Sequence, residues 1–149
     1  MSGFRFRLAT VMKLRQRARD ERRAELAKAF TAEAVLQEKM DELSVQLDGV
    51  RNMVRDMSCG GVLDVDKLLS ARRHEIQLHS QRRDLLQHAQ RLATEIVRRR
   101  TALVDADRDV RVLEKLSEKQ LAEFELVQQK DENKYLDEIA SQQFQPNED

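Results

Sequence analysis

MSCGGVLD, residues 57–64, interrupts a chain that otherwise consists mostly of helix-forming residues. It contains two of the four glycines and the only cysteine among 149 residues, namely Cys59, Gly60 and Gly61. Glycine adopts the left-handed conformation that ends a helix without a Cβ clash. Asp64 or Asp66 can then accept hydrogen bonds from the free amides that open a following helix. The stretch therefore predicts a bend over residues 58–64 between two helices.

Apolar residues on both sides of the bend recur with the 4-and-3 spacing of heptads. The seam before the bend consists of Leu36, Met40, Leu43, Leu47, Val50, Val54 and Met57. After the bend the rhythm continues through Leu68, Ala71, Glu75, Leu78, Arg82, Leu85, Ala89, Leu92, Ile96, Arg99, Leu103, Ala106, Val110 and Leu113. Two heptad seams joined by a short break predict an all-α antiparallel coiled-coil hairpin. We place helix 1 at about 4–57 and helix 2 at about 65–144.

The register of this hairpin follows from arithmetic. Facing residues in an antiparallel pair have numbers with a constant sum, and a sum of about 125 pairs seam with seam across the bend. This register places Leu47 opposite Leu78, but it also places Arg15 opposite Val110, so the seam weakens toward the termini. A local shift in heptad phase offers two alternative stripes. They consist of Val11, Leu14 and Ala18, or of Ala27, Phe30 and Ala34.

The bend lies off-centre, so the second predicted helix overhangs the first. About 25 residues at its C-terminal end lack a partner within the hairpin at the helical rise of 1.5 Å per residue. The overhang carries apolar residues at helical spacing, namely Leu121, Phe124, Val127, Tyr135, Leu136 and Ile139. Unpaired apolar residues on a projecting helix are candidates for contact with another protein. We expect one coiled-coil rod over 1–149, with 145–149 as a tail.

Composition excludes several classes of protein. Lys and Arg number 27, equal to Asp and Glu, so no net charge recommends nucleic acid as a partner. No apolar run approaches the ~20 residues that span a bilayer, and the first residues lack the apolar core of a signal peptide. One cysteine cannot form an internal disulfide. We expect a cytoplasmic protein that meets a membrane only peripherally.

Motifs that resemble metal, redox or phosphate sites fail on spacing. HEIQLH, residues 74–79, places its histidines about 140° apart around a helix, so they cannot bind one metal together. Cys59 has no second cysteine and no basic residue nearer than Arg55, which predicts an inert exposed thiol. CGGVLD lacks the spacing and the Lys-Ser/Thr ending of a phosphate loop. We expect no cofactor, no metal and no enzymatic activity, because a two-helix rod forms no pocket.

Three surface features are candidates for binding. RRR at 98–100 predicts a solvated face, whereas FRFRLATVMKLRQRAR at 4–19 is basic and amphipathic, as a membrane-surface helix is. Val45, Leu69 and Ile76 are apolar where charge is expected. Leu69 and Ile76 are seven residues apart and share a flank near the bend, and Val45 is expected close to it on the facing helix. Scattered surface residues and a partner groove are both open interpretations.

Two segments at the ends of the chain carry a family resemblance. They are FRFRLATVMKLRQRARDERRAELAKAF at 4–30 and LEKLSEKQLAEFELVQQKDENKYLDEIA at 113–140. The most specific pieces are Phe6 with Leu8, LEKL at 113–116 and LDEIA at 136–140. With these motifs the chain resembles the flagellar FliJ family, a cytoplasmic component of the bacterial flagellar type III export apparatus.

The resemblance implies a stalk similar to the central shaft of rotary ATPases, associated peripherally with the inner membrane at the flagellar base. In that family the helical ends engage the export ATPase ring, and the protein also contacts the cytoplasmic region of the export gate and helps to recycle export chaperones. The matching positions that would face the ATPase are Phe6, Leu8, Val11, Leu14, Leu113, Leu116, Leu136, Asp137 and Ile139. We assign Val45, Leu69 and Ile76 to the gate. A membrane- or nucleic-acid-associated coiled-coil scaffold is the alternative.

Overall fold

The fold is an all-α helical hairpin, as the heptad pattern predicts. The computed structural model describes residues 3–143 and contains two helices, α1 (Ala9–Cys59) and α2 (Val65–Gln143), with no strand in this range. The predicted end of helix 2 at residue 144 and the predicted tail 145–149 lie outside the described residues. In that part of the chain no helix is long and apolar enough to cross a membrane.

Residues 3–8, here called the N-terminal strap, precede α1 and are not helical. The predicted helix start at residue 4 is therefore wrong by five residues. Burial in the strap alternates, because Phe4, Phe6 and Leu8 are covered while the residues between them are exposed. A period of two is typical of extended backbone, whose successive side chains point to opposite sides. The Ala9 amide donates to the Phe6 carbonyl over 3.2 Å where the strap meets α1.

The bend is built by Gly61 and Asp64. Gly61 has a φ of 78°, and the Val62 amide donates to the Gly60 carbonyl over 2.9 Å, which closes a tight turn. Asp64 precedes α2, and its Oδ1 accepts from the Lys67 amide over 3.2 Å. This is an N-cap, and of the two predicted candidates it is Asp64 that forms it. The hydrogen bond from the Lys67 amide lowers the pKa of the Asp64 carboxyl below its usual value.

Replacement by alanine of Gly49 in α1 and of Gly61 in the bend should change the free energy of unfolding in opposite directions. Gly61→Ala forces a side chain into the left-handed region and is expected to destabilise the fold by about 1–2 kcal/mol. Gly49→Ala adds a Cβ that meets nothing within 4 Å inside a helix, so it should stabilise by about 1 kcal/mol. Urea unfolding monitored by circular dichroism measures both changes. Equal changes of the same sign in the free energy of unfolding would contradict the left-handed conformation of Gly61.

The described chain divides into two compact units. The tip unit is Glu21–Leu103, and the terminal unit comprises the described residues of 1–20 and 104–149. The expectation of one continuous rod stays a prediction, so each unit is described separately.

The tip unit is held together by the predicted heptad seam. Every seam position between Leu36 and Leu103 is buried or half-buried except Arg82, which is exposed. The buried cluster consists of Leu43, Leu47, Val50, Ala71 and Leu78, with Val54 and Leu85 packed against it. Arg99 Nη1 donates to the backbone carbonyl of Glu25 over 2.5 Å, and these two numbers add up to about 125, the predicted register. The alternative stripe fails, because Ala27, Phe30 and Ala34 are exposed.

The terminal unit keeps the same register. Arg15 Nη1 lies 3.3 Å from Asp109 Oδ2, and Asp109 adjoins Val110, the residue that the prediction placed opposite Arg15. Val110 is completely buried, so the expected weakening of the seam is wrong at this position. The alternative stripe is wrong for Val11 and Leu14, which are exposed, whereas its third member, Ala18, is half-buried like Leu8 and Met12.

Candidate functional site

The described residues offer open helix faces for binding. They contain no group of three or more His, Cys, Asp or Glu side chains that could hold a metal ion. In HEIQLH, His79 Nε2 lies 3.9 Å from Glu75 Oε1 of the same helix. Cys59 is a free, exposed thiol beside Gly60 and Gly61.

The nine positions assigned to the ATPase separate into two groups in the terminal unit. Phe6 is only 8% exposed, and Leu8, Leu113 and Leu116 are half-buried, so these four side chains help to build the fold. The other five are exposed and can contact a partner: Val11, Leu14, Leu136, Asp137 and Ile139. The sequence motif therefore combines packing residues with surface residues.

Residues 125–142 of α2 are the part of the predicted overhang that follows Phe124, and they alone are called the overhang from here on. They are exposed without exception. Tyr135, Leu136 and Ile139 lie within an arc of about 100° at 3.6 residues per turn. Asp137 lies about 160° around the helix from Ile139, so the two do not share a face. Leu126 and Val127 are exposed as well, but they point to other sides. The overhang thus presents one compact apolar stripe in water.

The charges of the overhang are distributed unevenly around its axis. Glu125 and Glu132 lie within about 40° of Ile139, on the same side as the apolar stripe. Lys130 and Lys134 lie about 140–180° away from Ile139, on the opposite side. An apolar stripe with acidic neighbours favours a partner that is apolar and basic.

The positions assigned to the export gate lie in the tip unit. Val45, Leu69 and Ile76 are all exposed, and Leu69 and Ile76 share one face of α2. The sequence analysis missed a shallow groove of about 460 Å³ beside Ile76, which His79, Arg82, Arg83 and Leu86 also line. Its signal was present in the sequence, because Arg83 and Leu86 are seven and ten residues after Ile76. The proximity of Val45 to this flank stays a prediction.

The arginine run at 98–100 is more than a solvated face. Arg98 is mostly exposed, as predicted, but Arg99 is half-buried and its Nε donates to Glu95 Oε1 over 2.8 Å while its Nη1 reaches Glu25 on α1. The Arg100 guanidinium lies 5.2 Å from the centroid of the Phe30 ring. These contacts join α1 to α2 at a point where the seam carries arginine.

Glu95 is the electrostatic centre of this cluster. Hydrogen bonds from Arg98 and then Arg99 lower the pKa of the Glu95 carboxyl from 4.5 to about 2. Arg98 contributes two of them, at 2.6 and 2.9 Å. The ionised carboxylate therefore stabilises the native state, because its pKa is lower in the folded chain than in the unfolded chain.

Replacement of this carboxylate should have a pH-dependent effect on stability. Glu95→Gln is expected to be less stable than the native chain above pH 4.5, and the difference should disappear as the pH falls toward 2. Urea unfolding of both chains across this range measures it. Carbon NMR of the Glu95 carboxyl should give a midpoint near 2, which Arg98→Gln should raise. A midpoint unchanged by Arg98→Gln would contradict the assigned cause.

An antiparallel helical hairpin with apolar stripes on open faces defines a class of helical protein-interaction components, in which binding surfaces take the place of a pocket. The family model described as Flagellar FliJ protein matches residues 4–149. The chain belongs to this family, which makes it a protein of flagellar export, and the resemblance of its two ends is confirmed. Neither the comparison with curated proteins nor the one with solved structures found a match.

Proposed function

We propose that the chain is a non-enzymatic stalk that couples the flagellar export ATPase ring to the cytoplasmic region of the export gate and assists recycling of export chaperones. The observation that carries the proposal is the overhang, on which Tyr135, Leu136 and Ile139 are held in water on a helix of a flagellar export protein. Exposed apolar stripes of this kind are characteristic of helix-in-groove recognition.

The terminal unit supplies the ATPase-binding surface. Val11 and Leu14 lie exposed on α1 within three residues of the exposed Lys13 and Arg17, whereas the overhang is acidic beside its apolar stripe. Two faces of opposite charge can orient this end within a ring that carries complementary charges. A central stalk has to be held in a defined orientation within the ring that surrounds it.

The tip unit supplies the gate-binding surface. Leu69 and Ile76 share a face, and the groove beside Ile76 adds Arg82 and Arg83 to the apolar residues. This combination suits an amphipathic segment with acidic side chains. The bend itself, with Cys59, Gly60 and Gly61, then has a structural role.

Coupling would operate through differential affinity. A ligand shifts an equilibrium between two states of its partner only by the ratio of its affinities for them. The stalk would therefore bind one state of the ring or of the gate more tightly than the other. Its proposed location is the cytoplasm, peripherally at the inner membrane of the flagellar base, where it serves flagellum biogenesis and motility.

The rate of ATP hydrolysis by the export ATPase, with and without the chain, tests the ring contact. The double variant Leu136→Ser with Ile139→Ser should raise the half-saturating concentration at least about tenfold, which corresponds to about 1.4 kcal/mol. Leu126→Ser is the control, because Leu126 is about as exposed as Leu136, at 57% against 61%, but lies about 140° from Ile139 around the helix. No change in hydrolysis on adding the native chain would reject the ring contact.

A pull-down with the cytoplasmic region of the gate tests the second contact. Leu69→Ser with Ile76→Ser should abolish capture, whereas Val97→Ser, which changes an exposed apolar residue elsewhere on α2, should leave it intact. Capture that is equal for both variants would assign the gate contact to another surface.

The alternative of a membrane-bound scaffold has less support. It relied on an amphipathic helix from residue 4, but the strap is not helical and Phe6 is buried in the chain itself. Co-sedimentation with anionic vesicles, with and without residues 1–25, tests this alternative. Vesicle binding that depends on those residues would favour it.

A further inference from the structure

The N-terminal strap packs on a side of α2 that continues into the overhang. The rings of Phe4 and Phe124 have centroids 5.8 Å apart with an interplanar angle of 48°, a tilted aromatic contact. Phe124 is the last residue of α2 in the described chain that is not exposed. The covered part of α2 therefore ends where Phe4 lies.

This side of α2 continues beyond the strap. Tyr135 follows Phe124 by eleven residues, and Ile139 follows Leu121 by eighteen, which returns each to within about 20° of its predecessor at 3.6 residues per turn. We call the side defined by Leu121, Phe124, Glu125, Glu132, Tyr135, Leu136 and Ile139 the overhang face. Of these residues only Phe124 is half-buried and in contact with the strap, and the others are open to water.

The strap shows which chemistry this face accepts. Its sequence, Phe4-Arg5-Phe6-Arg7, directs the aromatic side chains toward the protein and leaves both arginines exposed. The ring of Phe4 packs on the ring of Phe124, and the positive charge of arginine is opposite in sign to Glu125 and Glu132 on this face. Tyr135 lies about 16 Å further along the helix axis than Phe124, the residue that Phe4 contacts, at 1.5 Å per residue. The distal part of the face is thus left for another molecule.

We propose that the overhang face binds a partner segment in which aromatic and basic side chains alternate, and that the strap occupies the proximal end of this same site. The identification of that partner with the ATPase ring rests on the proposed function, whereas the chemistry of the site does not. The strap consequently competes with the partner for Phe124. When the strap leaves α2, the binding site extends to Phe124.

Titration of the isotopically labelled full chain with the peptide GFRFRLAT, capped at both ends, tests the site by backbone NMR. The peptide should shift amides around Tyr135 and Ile139, and GSRSRLAT should bind at least about tenfold more weakly because it lacks the rings. Leu136→Ser with Ile139→Ser should weaken binding similarly, and Leu126→Ser should not. In the double variant Phe4→Ser with Phe6→Ser, the shifts should extend to Phe124, which the strap no longer contacts.

Three results would overturn the inference: no shift between residues 121 and 139 at several millimolar peptide, equal affinity for both peptides, or shifts in the strap variant that stop short of Phe124. The ATPase is absent from this experiment. If the peptide binds but the native chain does not change ATP hydrolysis by the export ATPase, the proposed function is rejected and the binding site on the overhang face is retained.

Discussion

Leu78→Ala is expected to lower the free energy of unfolding by about 2–5 kcal/mol, the range for removing a fully buried leucine side chain. Leu78 is 2% exposed and belongs to the cluster with Leu43, Leu47 and Val50 that holds α1 against α2 in the tip unit. A two-helix seam has few layers that can repack around a cavity. A loss in this range is a large part of the 5–15 kcal/mol typical of a domain.

Ile76→Ala is the matched control, because Ile76 has the same number of carbon atoms, lies two residues away and is 68% exposed. Its change should stay within about 0.5 kcal/mol, as for surface substitutions in general. Urea unfolding followed by circular dichroism at 222 nm measures both variants. Similar losses for Leu78→Ala and Ile76→Ala would mean that the heptad seam does not form the core.

The hairpin could be predicted from the sequence because its information is local and repetitive. A heptad rhythm shows which side of a helix is buried, and the glycine pair at the bend shows where the direction reverses. The constant-sum rule then gave a register that Arg15 with Asp109, and Arg99 with Glu25, reproduce to within one residue. Each step needed only spacing along the chain.

The strap could not be predicted in this way. FRFRLATV is compatible with a helix, since arginine, leucine and alanine are good helix formers. The period-two alternation of Phe and Arg was visible, but it becomes decisive only when α2 provides a surface for the rings. Tertiary contact with Phe124 settles the conformation, and no local rule contains that contact.

The binding surfaces were predicted only in part, for a related reason. Phe6 and Leu136 were singled out because they match family motifs, and such a match does not distinguish a residue that packs from one that binds. In the structure Phe6 is buried and Leu136 is exposed, so only Leu136 is available to a partner. Arg99 was misjudged because a charged residue in a seam position can reach a backbone carbonyl on the facing helix.

Val110→Arg is expected to open the end of the hairpin in the terminal unit. Val110 has no exposed surface, and arginine there would overfill the seam and bring a second positive charge toward Arg15. Overpacking together with a buried, uncompensated charge costs about 3–5 kcal/mol. Amide hydrogen exchange of residues 9–20 should accelerate accordingly, by roughly 10²- to 4 × 10³-fold where exchange follows local opening.

Val112→Arg is the control that separates packing from charge. It introduces the same side chain two residues later on α2, at a position that is 61% exposed, and arginine is the better helix former of the two residues. Exchange of residues 9–20 should be unchanged in this variant. If both variants accelerated exchange equally, added charge would be the cause. If only Val110→Arg does so and also loses stimulation of the export ATPase, closure of α1 on α2 at Val110 is required for the proposed ring contact.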